Sequence, residues 1–407
     1  MNFYKTRKLI LSVFGIIAIF VAGYVLGING FKFETAGFPK VVIDRTIPEK
    51  HKSVDFSLFW KVWDTLDSSY FDKTKLIPSQ MVYGAISGMV NSIGDPYTSF
   101  LTPEENKVVE EDLSGSFGGV GIQIGFKGKN LAVIAPLPNS PAERAGIKAG
   151  DFIVGIKDIE KKIDTGTVGI NLNEAVGVIR GKAGTKVTLI LTRDKVDEPI
   201  TVEVTREILD VPSVVVDFIE NDIAHIRLLK FGGDTKTEWD KAISQVTGHK
   251  SQVTSIILDL RNNPGGYLQG SVDIAGSFMK KGSIVVIEDG KGKRNEFKTD
   301  INPTLDKYKI VVLVNKGSAS ASEILAGALR ENLGIKLIGE TTFGKGTIQE
   351  PLKINGGAGL HITTAKWLTP KGNWVHEKGL EPDIVVEDNL ETSEDEQLMK
   401  AIQVVSE

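Results

Sequence analysis

Between residues 253 and 340, short apolar runs alternate with segments of helical spacing, and this alternation restricts the fold more than any other feature of the chain. VTSIILDL (253–260), SIVVIE (283–288), KIVVLVN (309–315) and IKLIGE (335–340) have strand length and composition, while Tyr267–Lys280 and Ser320–Asn332 carry helical spacing. Strands joined by helical crossovers build a largely parallel sheet. Open sheets of that kind gather their ligands outside the carboxyl ends of the strands. The loops after residues 260, 315 and 340 are therefore where chemistry is to be sought.

The rest of the chain divides by texture into an α/β (α+β multidomain) protein. Residues 9–28 form a twenty-residue uncharged apolar run preceded by Lys5, Arg7 and Lys8. That length can span the hydrocarbon layer, and the basic flank favours a cytoplasmic N-terminus with the remainder exported. A cleaved secretory signal, whose apolar stretch is shorter, also implies export. The divisions predicted are residues 1–30 (cytoplasmic stub and transmembrane anchor), 31–51 (stalk), 52–114 (helical region), 115–207 (a small β-rich domain), 208–387 (the α/β core) and 388–407 (an acidic, then helical tail). Phe56, Phe59, Trp63, Leu66 and Tyr70 recur at helical steps, and a second helix is predicted from Pro78 to Gly94.

Composition removes several functional classes. The net charge of -4 leaves no whole-chain basic footprint for nucleic acid. With 0 cysteines there is no thiol nucleophile, disulfide or cysteine-ligated metal. No H-E-x-x-H spacing occurs, which argues against metal hydrolysis; no organic cofactor is expected either. His51, His225, His249, His361 and His376 all fall outside the glycine-rich loops, and His225 is expected to pack or hydrogen-bond within a strand.

Three loops remain. VNKGSASASEILAGALREN sets Ser318, Ser320 and Ser322 between a strand and a helix, where a serine is either a plain N-cap or a hydroxyl facing helix N–H donors. RNNPGGYL places Gly265 and Gly266 after another strand, fit for a tight turn or for close backbone approach to a ligand. GETTFGKGTIQEP holds Lys345 between two glycines. At an ordinary pKa near 10.4, only about one amine in 2500 is neutral at pH 7, and desolvation raises that fraction. A neutral lysine can take a serine proton. GETTFGKG also approaches a phosphate-binding loop, but Gly346 stands where that motif needs Ser or Thr, and a strand-like run follows instead of a helix.

Taken together, SASASEI, R-x-N-P-G-G, T-F-G-K-G-x-x-Q and GDPYTSFL resemble the C-terminal processing peptidases, or tail-specific proteases, over roughly residues 55–387. The resemblance implies a serine endopeptidase acting through an acyl-enzyme. Ser320, twenty-five positions before the lysine, would be the nucleophile, Lys345 the base, and Gln349 the group that orients the amine. Backbone N–H groups of Ala321, Gly265 and Gly266 would form the oxyanion hole. The catalytic part would lie extracytoplasmically, on the periplasmic or cell-wall side of a single-pass membrane protein. Homo-oligomers are common in the family, with the terminal helices 55–93 and 394–405 as candidate contacts.

Residues 115–207 look like a PDZ domain, through GGVGIQI (118–124) followed by SPAERAGIKAGDFIVGI (140–156). Gly119, Val120, Gly121 and Ile122 would capture a peptide's terminal carboxylate, with the strand from Ile122 adding the peptide as a further strand. The expected partners are proteins or peptides with exposed C-termini. Arg180, near the end of the domain's helix, is a candidate regulatory contact between the domains. The rival expectation is a non-catalytic PDZ scaffold with a protease-like fold.

Overall fold

The computed structural model describes residues 54–127, 130–137, 139–170, 172–193, 196, 198–220, 222–249, 253–387 and 394–407. The expected membrane run 9–28 and the stalk 31–51 lie outside these residues. Among the described residues no helix is long and apolar enough to cross a membrane. They form two compact units, divided after Tyr83.

The first unit holds helix Ser57–Ser69 and the short turn Lys73–Lys75. The aromatic stripe read from the sequence packs along itself, with Phe59 and Trp60 edge to face at 4.9 Å and Phe59 and Trp63 at 6.1 Å. No residue of the helix is buried within the unit.

The second unit, Gly84–Glu407, contains the β-rich domain and the α/β core. The β-rich domain is an antiparallel sheet in the order Ile122–Lys127, Asn130–Pro136, Phe152–Asp158, Lys186–Thr192, Ile200–Thr205, with Ile163–Gly166 paired to Phe152–Asp158. Ile122–Lys127 stands at the end of this order. Leu131, Val133, Ile153, Ile156, Leu189 and Leu191 alternate inward and form its core. Arg206, 1% exposed, is compensated by Asp158 at 2.7 Å and by the carbonyls of Val178, Ile179 and Lys186. Those bonds tie the end of helix Leu172–Ile179 to the last strand. Strands Ser116–Gly119 and Glu207–Asp210 pair where the chain enters and leaves the domain.

The core sheet runs Val214–Ile219, Ile223–Leu228, Ser255–Asp259, Lys309–Val314, Lys336–Gly339, Ile384–Val385, parallel throughout except for its first pair. Helices Thr235–Thr247, Leu268–Ala275 and Ala321–Leu333 cover one face through Trp239, Val272, Ile324 and Leu325. Helix Glu396–Ser406 covers the other, setting Ala401 and Val405 against Ile257, Leu313 and Ile338. Full burial of an aliphatic or aromatic side chain stabilises by about 1.5–3 kcal/mol, so both faces hold the strand ends firmly.

Two features differ from the sequence expectation. Ile284–Gly290 is not a strand of the parallel sheet. It pairs antiparallel with Lys293–Lys298 and Gly359–Leu368 in a second sheet that also includes Ser99–Leu101 and Thr347–Lys353. The turn DGKG explains this, because Lys291 and Gly292 take positive φ (53° and 74°) and reverse the chain into a hairpin. Helix Pro103–Ser114 falls in the region 52–114 expected to be helical, though it was not placed individually; a capping box between Thr102 and Glu105 starts it, with Pro103 at its first position.

Candidate active site

The loops following Leu228, Asp259, Val314 and Gly339 all emerge at the carboxyl edge of the parallel sheet. Three of them meet around one cavity of about 530 Å³, lined by Ser320, Gly266, Lys345 and Gln349 together with Tyr97, Val109, Leu113, Tyr267, Ile324, Ile348 and His361. Ser320 and Lys345 therefore share a pocket.

The structure separates the three serines. Ser318, fully buried, donates its hydroxyl to Leu260 O at 2.8 Å and accepts from Asn315 N–H at 3.0 Å. The equally buried Ser322 donates to Asn263 O at 2.8 Å. Both hydroxyls dock the turn onto the RNNPGG loop. Ser320 faces the cavity from a backbone at φ 56°, ψ −115°, a left-handed conformation that costs a non-glycine residue on the order of 1–3 kcal/mol. The turn that presents it is held by its surroundings.

The main restraint is a residue that sequence reading missed. Glu323, fully buried in the first turn of helix Ala321–Leu333, takes four hydrogen bonds on its carboxylate. Oε2 accepts the backbone N–H of Ser320 and of Lys345, each at 2.9 Å. Oε1 accepts Gly344 N–H at 2.7 Å and the Thr342 hydroxyl at 2.6 Å. One carboxylate thus fixes the serine turn and the lysine loop to each other. Its signal in the sequence was the spacing Ser320-x-x-Glu323, a capping-box pattern.

Gly265 packs so closely on the serine turn that a Cβ there would lie 2.8 Å from Ala319 O and 2.9 Å from Ser320 Cβ. Its N–H already donates to Asn263 Oδ1 at 2.9 Å. Gly265 therefore shapes the site, and in this structure its N–H is engaged within its own loop. Gly266, at φ 138°, lines the cavity, and Ala321 opens the helix beside Ser320.

Burial pushes the Lys345 ammonium below the usual lysine range, opposed by the charges of Asp95 and Glu323. Its Nζ lies 5.3 Å from the centre of the Tyr97 ring, and Trp367 Nε1 donates to its carbonyl at 2.7 Å. Gln349 sits at a bulge in strand Thr347–Lys353. Its Nε2 donates to Thr347 Oγ1 at 2.9 Å and to Thr363 Oγ1 at 3.1 Å, so its amide hydrogens are engaged by two threonines.

Two histidines stand closer to this loop than their sequence positions suggested. His361 lines the cavity, its imidazole held below the usual range by burial and by Lys345. His376 Nδ1 faces Gly346 N–H at 3.4 Å. His225 bonds Asp259 through Nε2 at 3.1 Å, as a strand histidine should. Among the described residues no cluster of His, Asp and Glu fit to hold a metal occurs.

In the β-rich domain, Val120 O accepts Ala142 N–H and Gly121 O accepts Leu137 N–H, each at 2.9 Å. Gly119 ends the strand paired with Glu207, and Ile122 opens the edge strand. Arg180 Nη1 bonds Asp112 Oδ1 at 2.6 Å and its guanidinium lies 3.9 Å from the Phe117 ring centre. Asp112 belongs to helix Pro103–Ser114, whose Val109 and Leu113 line the cavity beside Ser320.

A mixed α/β fold with a β-rich module, and a serine and a half-buried lysine lining one cavity, suit a hydrolase, and comparison with known proteins gives the family. Residues 222–386 match the model of peptidase family S41, and residues 133–193 match that of the PDZ domain. The chain is 38% identical over 328 residues to the carboxy-terminal processing protease CtpA of Bacillus subtilis, covering 80% of this chain and 68% of that protein. It is 32% identical to CtpB of the same organism, covering 90% and 74%. A solved structure of a photosystem II D1 C-terminal processing protease superposes with a TM-score of 0.52 at 29% identity, covering 86% of this chain and 96% of that one. The chain spans about two thirds of the length of several such relatives, 64% for a CtpA-like serine protease of Staphylococcus epidermidis. It belongs to the carboxy-terminal processing proteases, serine peptidases of family S41 that carry a PDZ domain. Gly119–Ile122 precede the stretch matched by the PDZ model.

Proposed function

We propose that this chain hydrolyses peptide bonds with a Ser320/Lys345 dyad and selects its substrates through the PDZ domain. The observation that carries the reading is the Glu323 carboxylate, which sets the backbones of Ser320 and Lys345 on one oxygen at the mouth of one cavity. Neutral Lys345 takes the Ser320 proton as Oγ attacks the peptide carbonyl, and backbone donors at Gly266 and Ala321 receive the oxyanion. The resulting ammonium returns the proton to the departing amine. Water, deprotonated by the same lysine, then frees the acyl group and restores Ser320. The Gln349 side-chain oxygen is the atom suited to orient the lysine, its amide hydrogens being held by two threonines.

A peptide would enter by its C-terminus. The inward-turned carbonyls of Val120 and Gly121 and the sheet-end position of Ile122–Lys127 support capture of a carboxylate and addition of a strand there. Tethering makes the encounter with Ser320 intramolecular. The Arg180–Asp112 pair supports a link from the domain's helix to the cavity wall. For residues 9–28 we propose a retained anchor with the peptidase outside the cytoplasm, supported by the uncharged run and its basic flank.

The test is cleavage of an unstructured polypeptide by the parent and by Ser320→Ala and Lys345→Ala, with fragments read by mass spectrometry. The reading expects loss of cleavage in both variants, and slower cleavage when the substrate's last residues are removed. Retained peptide binding with no cleavage by the parent would favour the scaffold reading.

A further inference from the structure

Helix Glu396–Ser406 lies beyond the stretch matched by the S41 model and on the sheet face opposite the serine-bearing helix. Its first turn nevertheless meets the start of the RNNPGG loop and, through Val386, the strand end that precedes the Lys345 loop. Arg261, four residues before Gly265, spreads its guanidinium between two carboxylates. Nε and Nη2 reach Asp259 Oδ1 at 3.0 Å and Oδ2 at 2.7 Å, while Nη1 and Nη2 reach Asp395 Oδ1 at 2.7 Å and Oδ2 at 2.8 Å. The arginine side chain is 13% exposed and Asp259 only 6%. Asp395 also caps the helix by accepting Leu398 N–H at 2.8 Å. Two residues on, Gln397 accepts from Arg261 at 3.3 Å and donates to Val386 O at 2.9 Å. Val386 N–H in turn reaches Gly339 O, where the strand gives way to the Lys345 loop.

The apolar face of the helix is anchored by Ala401 and Val405, so the Asp395 contact is not what keeps the helix on the sheet. What it does hold is the beginning of the RNNPGG loop. Farther along, that loop is pinned by Phe231 N–H on Gly265 O and by Tyr267 N–H on Phe231 O. Asn262, at φ 57°, is fixed between these anchors by Asn315, which accepts its N–H at 2.8 Å and donates to its side-chain oxygen at 3.0 Å. An oxyanion donor serves only where its position is set before the reaction. We infer that Asp395 is a positioning residue for the Gly265–Gly266 loop, acting through Arg261 from the terminal helix. The inference rests on the proposed role of Gly266 toward Ser320.

The experiment uses the full chain and the variant Asp395→Ser, which keeps an N-cap acceptor but loses the bidentate clamp. Hydrolysis of an unstructured polypeptide should show kcat lowered about tenfold with KM within about twofold. A peptide aldehyde, which forms a tetrahedral adduct with serine, should lose affinity by a similar factor, while the matching peptide amide keeps its own. Arg261→Lys, which changes no residue of the helix, should reproduce the pattern and serves as the test if Asp395→Ser does not fold. Gln403→Ala, an exposed change on the same helix, should leave all constants unchanged. An unchanged kcat in a folded variant, or a loss confined to KM, overturns the inference. Activity surviving in Ser320→Ala would instead overturn the dyad itself, so the two failures are distinguishable.

Discussion

Glu323 Oε2 accepts the backbone N–H of Lys345 at 2.9 Å from within the helix that Ser320 begins. The backbones of Ser320 and Lys345 are therefore tied to each other by a third, fully buried group.

Glu323→Gln should damage both fold and activity. Two donors converge on each carboxylate oxygen, and an amide must turn its NH₂ toward one of these pairs, leaving buried N–H groups unpaired. The expected cost is about 2–4 kcal/mol. Urea unfolding measures it, and hydrolysis should fall more steeply than the folded fraction.

Gly265→Ala should misplace Ser320. The added methyl would meet Ala319 O, Ser320 Cβ and Ala321 N within 3.0 Å, at a φ of 97° that alanine resists. A destabilisation of about 1–3 kcal/mol is expected. Loss of reaction with a serine-directed fluorophosphonate, in protein that remains folded by circular dichroism, checks it.

Asp95→Asn should move the pH profile. The proposed mechanism requires the neutral amine, so kcat/KM should rise as pH rises through the pKa of Lys345. Burial lowers that pKa, while the Asp95 charge raises it. Removing the charge lowers it further, and the acid limb should shift to lower pH. A shift to higher pH would place another group in the role of base.

Arg180→Ala should alter cleavage stimulated by a C-terminal peptide. The side chain is 19% exposed and joins the PDZ helix to Asp112 on the cavity wall. Titration of activity with an apolar-ended peptide reads the effect. Kinetics identical to the parent, with and without peptide, would remove Arg180 from the mechanism.

Much of this architecture was legible because local and global signals agreed. The strands ending at Asp259, Val314 and Gly339 were plain from apolar runs, and the loops after them bring Gly266, Ser320 and Lys345 to one cavity. Ile284–Gly290 was placed in the wrong sheet because strand length says nothing about partner, and its polar hairpin mate KRNEFK has no apolar face to advertise it. Helix Pro103–Ser114 hid for a similar reason, its sequence PEENKVVEEDLS being polar almost throughout. Glu323 was invisible as a functional group because a glutamate three residues into a helix ordinarily faces solvent. Its burial, and its use by residues 342–345, are tertiary facts.

The central claim is the amine at position 345, and the direct measurement is the hydrolysis rate of a disordered substrate by Lys345→Met, which keeps the length of the side chain and removes its base. The account predicts a loss of at least about a thousandfold in folded protein, as for removal of the base from other serine dyads and triads. A rate equal to the parent's would contradict it.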